Sequence, residues 1–162
     1  MRASRDVRVV PDYGGVWTGS FHISSCTESG LYVGLGCVDA QLAVASYQMV
    51  VNASQDRASV NATVEAFGRS PVSTSGTITV NGSLTLAGLS RLAVSGQPFE
   101  FEIADWTTNV NDKGEVTGKF TLITRVTGVT DDYRLYCDIL SLKKNGSVTI
   151  KSDPALRSVL PR

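Results

Sequence analysis

Two long runs, Glu115–Val126 and Tyr133–Leu142, alternate in polarity with a period of two, and they constrain the fold more than any other feature of the chain. In the first run Val116, Gly118, Phe120, Leu122, Thr124 and Val126 point one way. Thr117, Lys119, Thr121, Ile123 and Arg125 point the other. In the second run Tyr133, Leu135, Cys137 and Ile139 share a face. Joined by Gly128-Val129-Thr130-Asp131-Asp132, the two runs make a hairpin with one apolar surface. Two strands cannot bury that surface alone, so the rest of the chain has to supply more.

It carries the pattern to do so. Around the first tryptophan, Trp17, Gly19, Phe21 and Ile23 fall on one face and Val16, Thr18, Ser20 and His22 on the other. Ala40–Asn52 is apolar on both faces, and its β-branched second half, followed by the turn Gln55-Asp56-Arg57, predicts a strand. It pairs as a hairpin with Ser59–Phe67, where Val60, Ala62, Val64 and Ala66 oppose Ser59, Asn61, Thr63 and Glu65. Thr77–Val80 and Ser83–Leu86 are joined by Asn81-Gly82, a dipeptide suited to the two positive φ angles of a type I′ turn. Leu89–Val94 fits a helical turn or a continued strand. Gln97–Trp106 sends Phe99, Phe101 and Ile103 inward and Glu100, Glu102 and Ala104 outward. Ser147–Lys151 reads as a last short run, and Asp153-Pro154 as the start of one helical turn.

Eight or nine such strands of ~8–13 residues, with no long amphipathic helix, give an all-β class and an antiparallel up-and-down β-barrel of about eight strands; the alternative is a two-sheet β-sandwich. Residues 14–151 form the single barrel domain. Residues 1–13, with Arg2, Arg5 and Arg8, read as a polar lead-in, and 152–162 as a C-terminal tail. The lead-in lacks the apolar centre of a signal peptide and reads as the remnant of a precursor whose targeting segment was removed. Small inward residues at Gly19, Ala62, Ala66 and Gly118 are expected to leave room inside.

Lys+Arg and Asp+Glu are both 15, which removes the electrostatic case for nucleic acid or an anionic membrane surface. No apolar run reaches the ~20 residues of a membrane-spanning helix. Cys26 and Cys37 bracket a Gly-rich loop and are expected to form a disulfide, with Cys137 a free, buried thiol. The disulfide and the Ser/Thr-rich composition point to an extracellular or cell-envelope location. The sequons at Asn52, Asn61, Asn81 and Asn145 add little in a chain so rich in Ser, Thr and Asn.

His22 is the only histidine, which excludes a histidine metal cluster; alternation puts it on the outer face, and no catalytic residue is assigned. Glu100 and Glu102 share a face, the solvated one. Asn109, Asn111, Asp112, Gly114 and Glu115 are loosely spaced like a calcium loop, but Phe120 stands where the bidentate acid belongs, so a plain hairpin turn is the reading. No cofactor is expected.

Gly15-Val16-Trp17 resembles the Gly-x-Trp signature of lipocalins and related calycin barrels, and Thr130-Asp131-Asp132-Tyr133 resembles their Thr-Asp-Tyr turn. The resemblance touches about ten residues, and the turn carries one residue more than the family pattern. It implies a tryptophan at the barrel floor under a basic side chain, here Arg134 or Arg157, and a cup for a small apolar molecule. Three functions follow: a carrier of a small apolar ligand, a sandwich that binds protein or glycan through Gly30–Gly36 and an exposed Trp106, or a barrel enzyme. The carrier reading assigns Trp17, Phe21, Phe99, Phe101, Phe120 and Leu135 to one apolar lumen with Trp17 as its floor.

Overall fold

The computed structural model describes residues 10–39, 46–66 and 70–144. Eight strands run in chain order: β1 (Gly15–Glu28), β2 (Tyr47–Asp56), β3 (Ser59–Ala66), β4 (Val72–Ile78), β5 (Leu84–Val94), β6 (Gln97–Val110), β7 (Glu115–Val126) and β8 (Tyr133–Lys144). Each pairs antiparallel with the next, and β1 pairs with β8 from Trp17↔Lys144 to Glu28↔Tyr133. The closed barrel replaces the two-sheet alternative because that last pairing leaves no free edge. Leu89–Val94 is strand. Residues 40–45 of the expected second strand, the run 147–151, the tail with Arg157, the sequon at Asn145 and the arginines of the lead-in lie outside the described residues.

Alternation fills the barrel. β3 shows it most plainly, with Val60, Ala62, Val64 and Ala66 buried and Ser59, Asn61, Thr63 and Glu65 exposed. The apolar face is inside and the polar face outside, the reverse of a barrel that spans a membrane.

The turns differ in detail from the sequence expectation. At Asn81-Gly82 only the glycine has a positive φ (86°); Gly82 N donates to Thr79 O and Thr79 N to Ser83 O. That is a type I turn closed by a left-handed glycine, and Asn111–Glu115 repeats it with Gly114. The hairpin with two positive φ angles is Ser95-Gly96, between β5 and β6.

β-Bulges account for the other differences. Alternation from Phe101 and Ile103 would send Trp106 outward, but the β6–β7 register shifts between Ala104 and Thr107, with Asp105 at φ 53°. The extra residue reverses the parity, so Trp106 turns inward and is 2% exposed; it is not the surface tryptophan of the sandwich reading. Gly19 and Gly118 do not leave room either. A Cβ on Gly19 would collide with the Ser141 carbonyl of β8, and one on Gly118 with the Thr107 carbonyl of β6, so these glycines let neighbouring strands close up.

The base of the barrel is plugged. Tyr13, at the end of the expected lead-in, is 2% exposed, with its hydroxyl between the carbonyls of Gly82 (2.8 Å) and Thr108 (3.2 Å). Trp17 Nε1 donates to Tyr13 O (2.8 Å), and Gln55 Oε1 accepts from Tyr13 N (2.6 Å). The cation over the Trp17 ring is Lys144, 5.4 Å from its centre. Arg134 cannot take that position, because it sits at the opposite end of β8, paired with Asp132 at 3.1 Å.

Candidate functional site

Above the plug the lower barrel is solid. Phe21 and Phe120 meet edge to face at 5.3 Å, Trp106 lies 5.3 Å from Phe120, and the gap bounded by Tyr13, Trp17, Trp106 and Leu142 holds about 10 Å3 of free space. Phe21, Phe120 and Leu135 are buried in this part with Trp17.

The other end is open. A cavity of about 620 Å3 is walled by Leu92 and Val94 of β5, Phe99 and Phe101 of β6, Thr124 of β7, Tyr133 of β8, Ser70, and Tyr32, Leu35 and Gly36 from the segment after β1. Of the six residues assigned to a lumen, Phe99 and Phe101 reach this cavity; Trp17, Phe21, Phe120 and Leu135 form the packed interior beneath it. Phe99 and Phe101 stack with centres 6.3 Å apart, and only about 10 Å3 of space remains between Phe101, Ile103 and Leu122.

One wall is a loop that the disulfide holds in place. Cys26 and Cys37 are bonded, with Cα atoms 5.8 Å apart. Between them the chain makes a 3₁₀ turn at Gly30–Tyr32, and Cys37 itself lies in a short helix, α1 (Gly36–Asp39). The loop is moored to the β7–β8 turn: Ser29 N donates to Asp132 O (2.9 Å), Asp132 N to Ser29 Oγ (3.0 Å) and Leu31 N to Asp131 Oδ2 (3.3 Å). The Glu28 carboxylate accepts from Gly34 N (2.8 Å) and Cys37 N (2.9 Å), and these two N–H groups hold its pKa below the ordinary glutamate value. Tyr32 packs on Tyr133 at 5.2 Å, and Gly36 lies so close to the Tyr133 ring that no side chain fits there. Alternation reaches only strands, so Tyr32, Leu35 and Gly36 were not legible as wall residues; the bracketing cysteines were the available signal.

Of the residues that wall the cavity, Leu35 on the loop and Leu92 and Val94 on β5 are exposed; Leu31, Val33 and Val38, elsewhere on the same segment, are exposed too. No Asp, Glu, Lys, Arg or His is among the described residues that line the cavity.

Other candidate chemistry resolves into structure. Cys137 is buried and its thiol is pushed up to about 12, chiefly by burial. Glu100 is buried rather than solvated, because Arg91 Nε (3.2 Å) and Arg125 Nε (3.0 Å) both donate to it. His22 stands across the β1–β8 seam from Asp138, half-buried. Asn111 Oδ1 accepts from Lys113 N (2.9 Å) and Glu115 N (3.0 Å), so the resemblance to a calcium loop is a hairpin turn. Among the described residues no group of three or more side chains could hold a metal ion, and no helix is long and apolar enough to cross a membrane.

Fold and site together define a closed eight-stranded antiparallel barrel with a solid base and one apolar cup. Compared with known proteins, the chain matches no family model, no curated protein and no solved structure.

Proposed function

We propose that this protein is a carrier that holds a small apolar molecule in the cup at the loop-covered end of its barrel, and that it works outside the cytoplasm. The observation that carries the reading is the cavity of about 620 Å3, a size typical of small-molecule sites, walled by Phe99, Phe101, Leu92, Val94, Tyr32 and Tyr133. A mostly apolar wall whose described residues include no Asp, Glu, Lys, Arg or His suits retention better than acid–base catalysis. The Cys26–Cys37 bond supports an extracellular or cell-envelope setting. A Gly-x-Trp strand at the base, with Lys144 over the ring, favours a lipocalin-like barrel as the relevant comparison.

The test is titration with pyrene, an apolar fluorophore with no hydrogen-bonding atom. The expected result is saturable binding at one site per chain, weakened in Phe101→Trp, whose larger ring takes up part of the cup and reshapes its wall. Absence of saturable binding by the native protein would overturn the reading.

A further inference from the structure

The apolar wall of the cup is of two kinds. Its aliphatic members among the described residues, Leu35, Leu92 and Val94, are exposed to solvent. Its rings are not: Phe101 and Tyr133 are buried, and Phe99 and Tyr32 are half-buried against the core. Phe101 also borders the gap of about 10 Å3 beneath the cup, together with Ile103 and Leu122, so a ring closes the floor. A ligand leaving water for this cavity is therefore received by aromatic rings where the wall is driest.

Strand register spaces these rings. Phe101 of β6 pairs with Thr124 of β7, and Thr124 with Tyr133 of β8, so two ring-bearing positions flank one short side chain, and all three line the cavity. Neighbours in such a row stand with Cβ atoms ~5 Å apart. A large residue in place of Thr124 would fill the space between the rings; threonine leaves it open. The rings also brace one another. Phe99 stacks on Phe101 with 22° between the planes, and Tyr32 packs on Tyr133 at 5.2 Å. An aromatic side chain turns about only two χ angles, so mutually packed rings make a rigid surface. No methionine, the side chain that adapts to guests of many shapes, is among the described residues of the wall.

Such a wall favours one kind of guest. A flat conjugated molecule meets the rings offset-stacked or edge-on, contacts that add to what burial of area alone supplies. A saturated body with the same skeleton gains the burial without those contacts, and its puckered carbons are thicker than a ring plane.

Resting on the carrier reading, we infer that the ligand is a flat, conjugated molecule, an aromatic or polyene body held against the rings of Phe99, Phe101, Tyr32 and Tyr133, and that the site prefers it over a saturated chain or a puckered ring system of the same size.

The experiment is displacement of pyrene by 2-naphthol and by decahydro-2-naphthol, which share a fused-ring skeleton and one hydroxyl and differ in conjugation. 2-Naphthol is expected to act at a concentration roughly three- to tenfold below that of its saturated partner. Phe99→Leu keeps the wall apolar but removes a ring, and is expected to lower that ratio about twofold or more. Tyr32→Leu, on the loop rather than in the sheet, should lower the ratio in the same way, independently of how Phe99→Leu folds. A ratio is the readout because a merely structural loss weakens both compounds alike. Pyrene binding with decahydro-2-naphthol equal to or tighter than 2-naphthol, or a ratio untouched by both Phe99→Leu and Tyr32→Leu, overturns this inference and leaves the carrier standing. No pyrene binding by the native protein overturns both.

Discussion

Lys144 Nζ lies 5.4 Å from the centre of the Trp17 ring, so the end of β8 is clamped to the start of β1 at the seam where the barrel closes. The same ammonium is 3.3 Å from Asp12 Oδ2, but Asp12 is largely exposed, and an exposed ion pair contributes little. Lys144→Met is expected to lower stability in urea by about 0.5–2 kcal/mol, and Lys144→Arg to restore most of it. If Asp12→Asn costs as much as Lys144→Met, the ion pair and not the ring is the source.

The disulfide is expected to hold the cup wall more than the barrel. Its partners are 11 residues apart, for which loop-closure entropy gives about 3 kcal/mol. Mild reduction should weaken pyrene binding, because Tyr32, Leu35 and Gly36 leave the wall, before the far-ultraviolet sheet signal changes. Simultaneous loss of both signals would mean that the loop is part of the folding core.

Cys137 is expected to be chemically silent, since burial suppresses its thiolate. Thiol labelling should find none in the native protein, one in denaturant, and three once reductant is added to denaturant, matching the 3 cysteines of the chain. Fast labelling of the native protein would show that the barrel opens near β8.

Asp105 holds a left-handed backbone at the bulge that turns Trp106 inward. Asp105→Gly removes the steric cost of that conformation and is expected to raise stability by roughly 0.5–1 kcal/mol. Asp105→Val should lower it by more than that, being β-branched. A destabilised glycine variant would imply that the carboxylate has an unrecognised structural partner.

Glu28 predicts a pH dependence. Its folded pKa is depressed by the N–H groups of Gly34 and Cys37, so its contribution is fully present above the ordinary glutamate pKa and is lost as pH falls through the folded value. The protection of the Gly34 and Cys37 amides, taken relative to their intrinsic exchange rates at each pH, should therefore fall under acid in the native protein. Glu28→Gln should show no such pH step; an unchanged step would assign it to another acid.

The barrel was readable because its strands are amphipathic with a period of two, and the faces containing Phe21, Phe101, Phe120 and Leu135 are buried as that period requires. The reading failed at single residues where a bulge reverses parity. Nothing local distinguishes Asp105 as an extra residue, since the register of β6 is set by pairing with β7. The cup was half legible: Phe99 and Phe101 follow from alternation, whereas Tyr32 and Gly36 reach it only because residues about 100 positions away, Asp131 and Asp132, moor their loop.

The sequence by itself determined the class, the strand faces and the pairing of Cys26 with Cys37, because side-chain alternation and short loop closure are local properties of the chain. Tertiary structure decided closure of β1 on β8, the inward turn of Trp106, and Lys144 rather than Arg134 over Trp17. It also decided that the lower barrel is solid while the upper part is open. Those outcomes depend on strand register and on contacts between distant segments, and alternation within one strand carries no information about either.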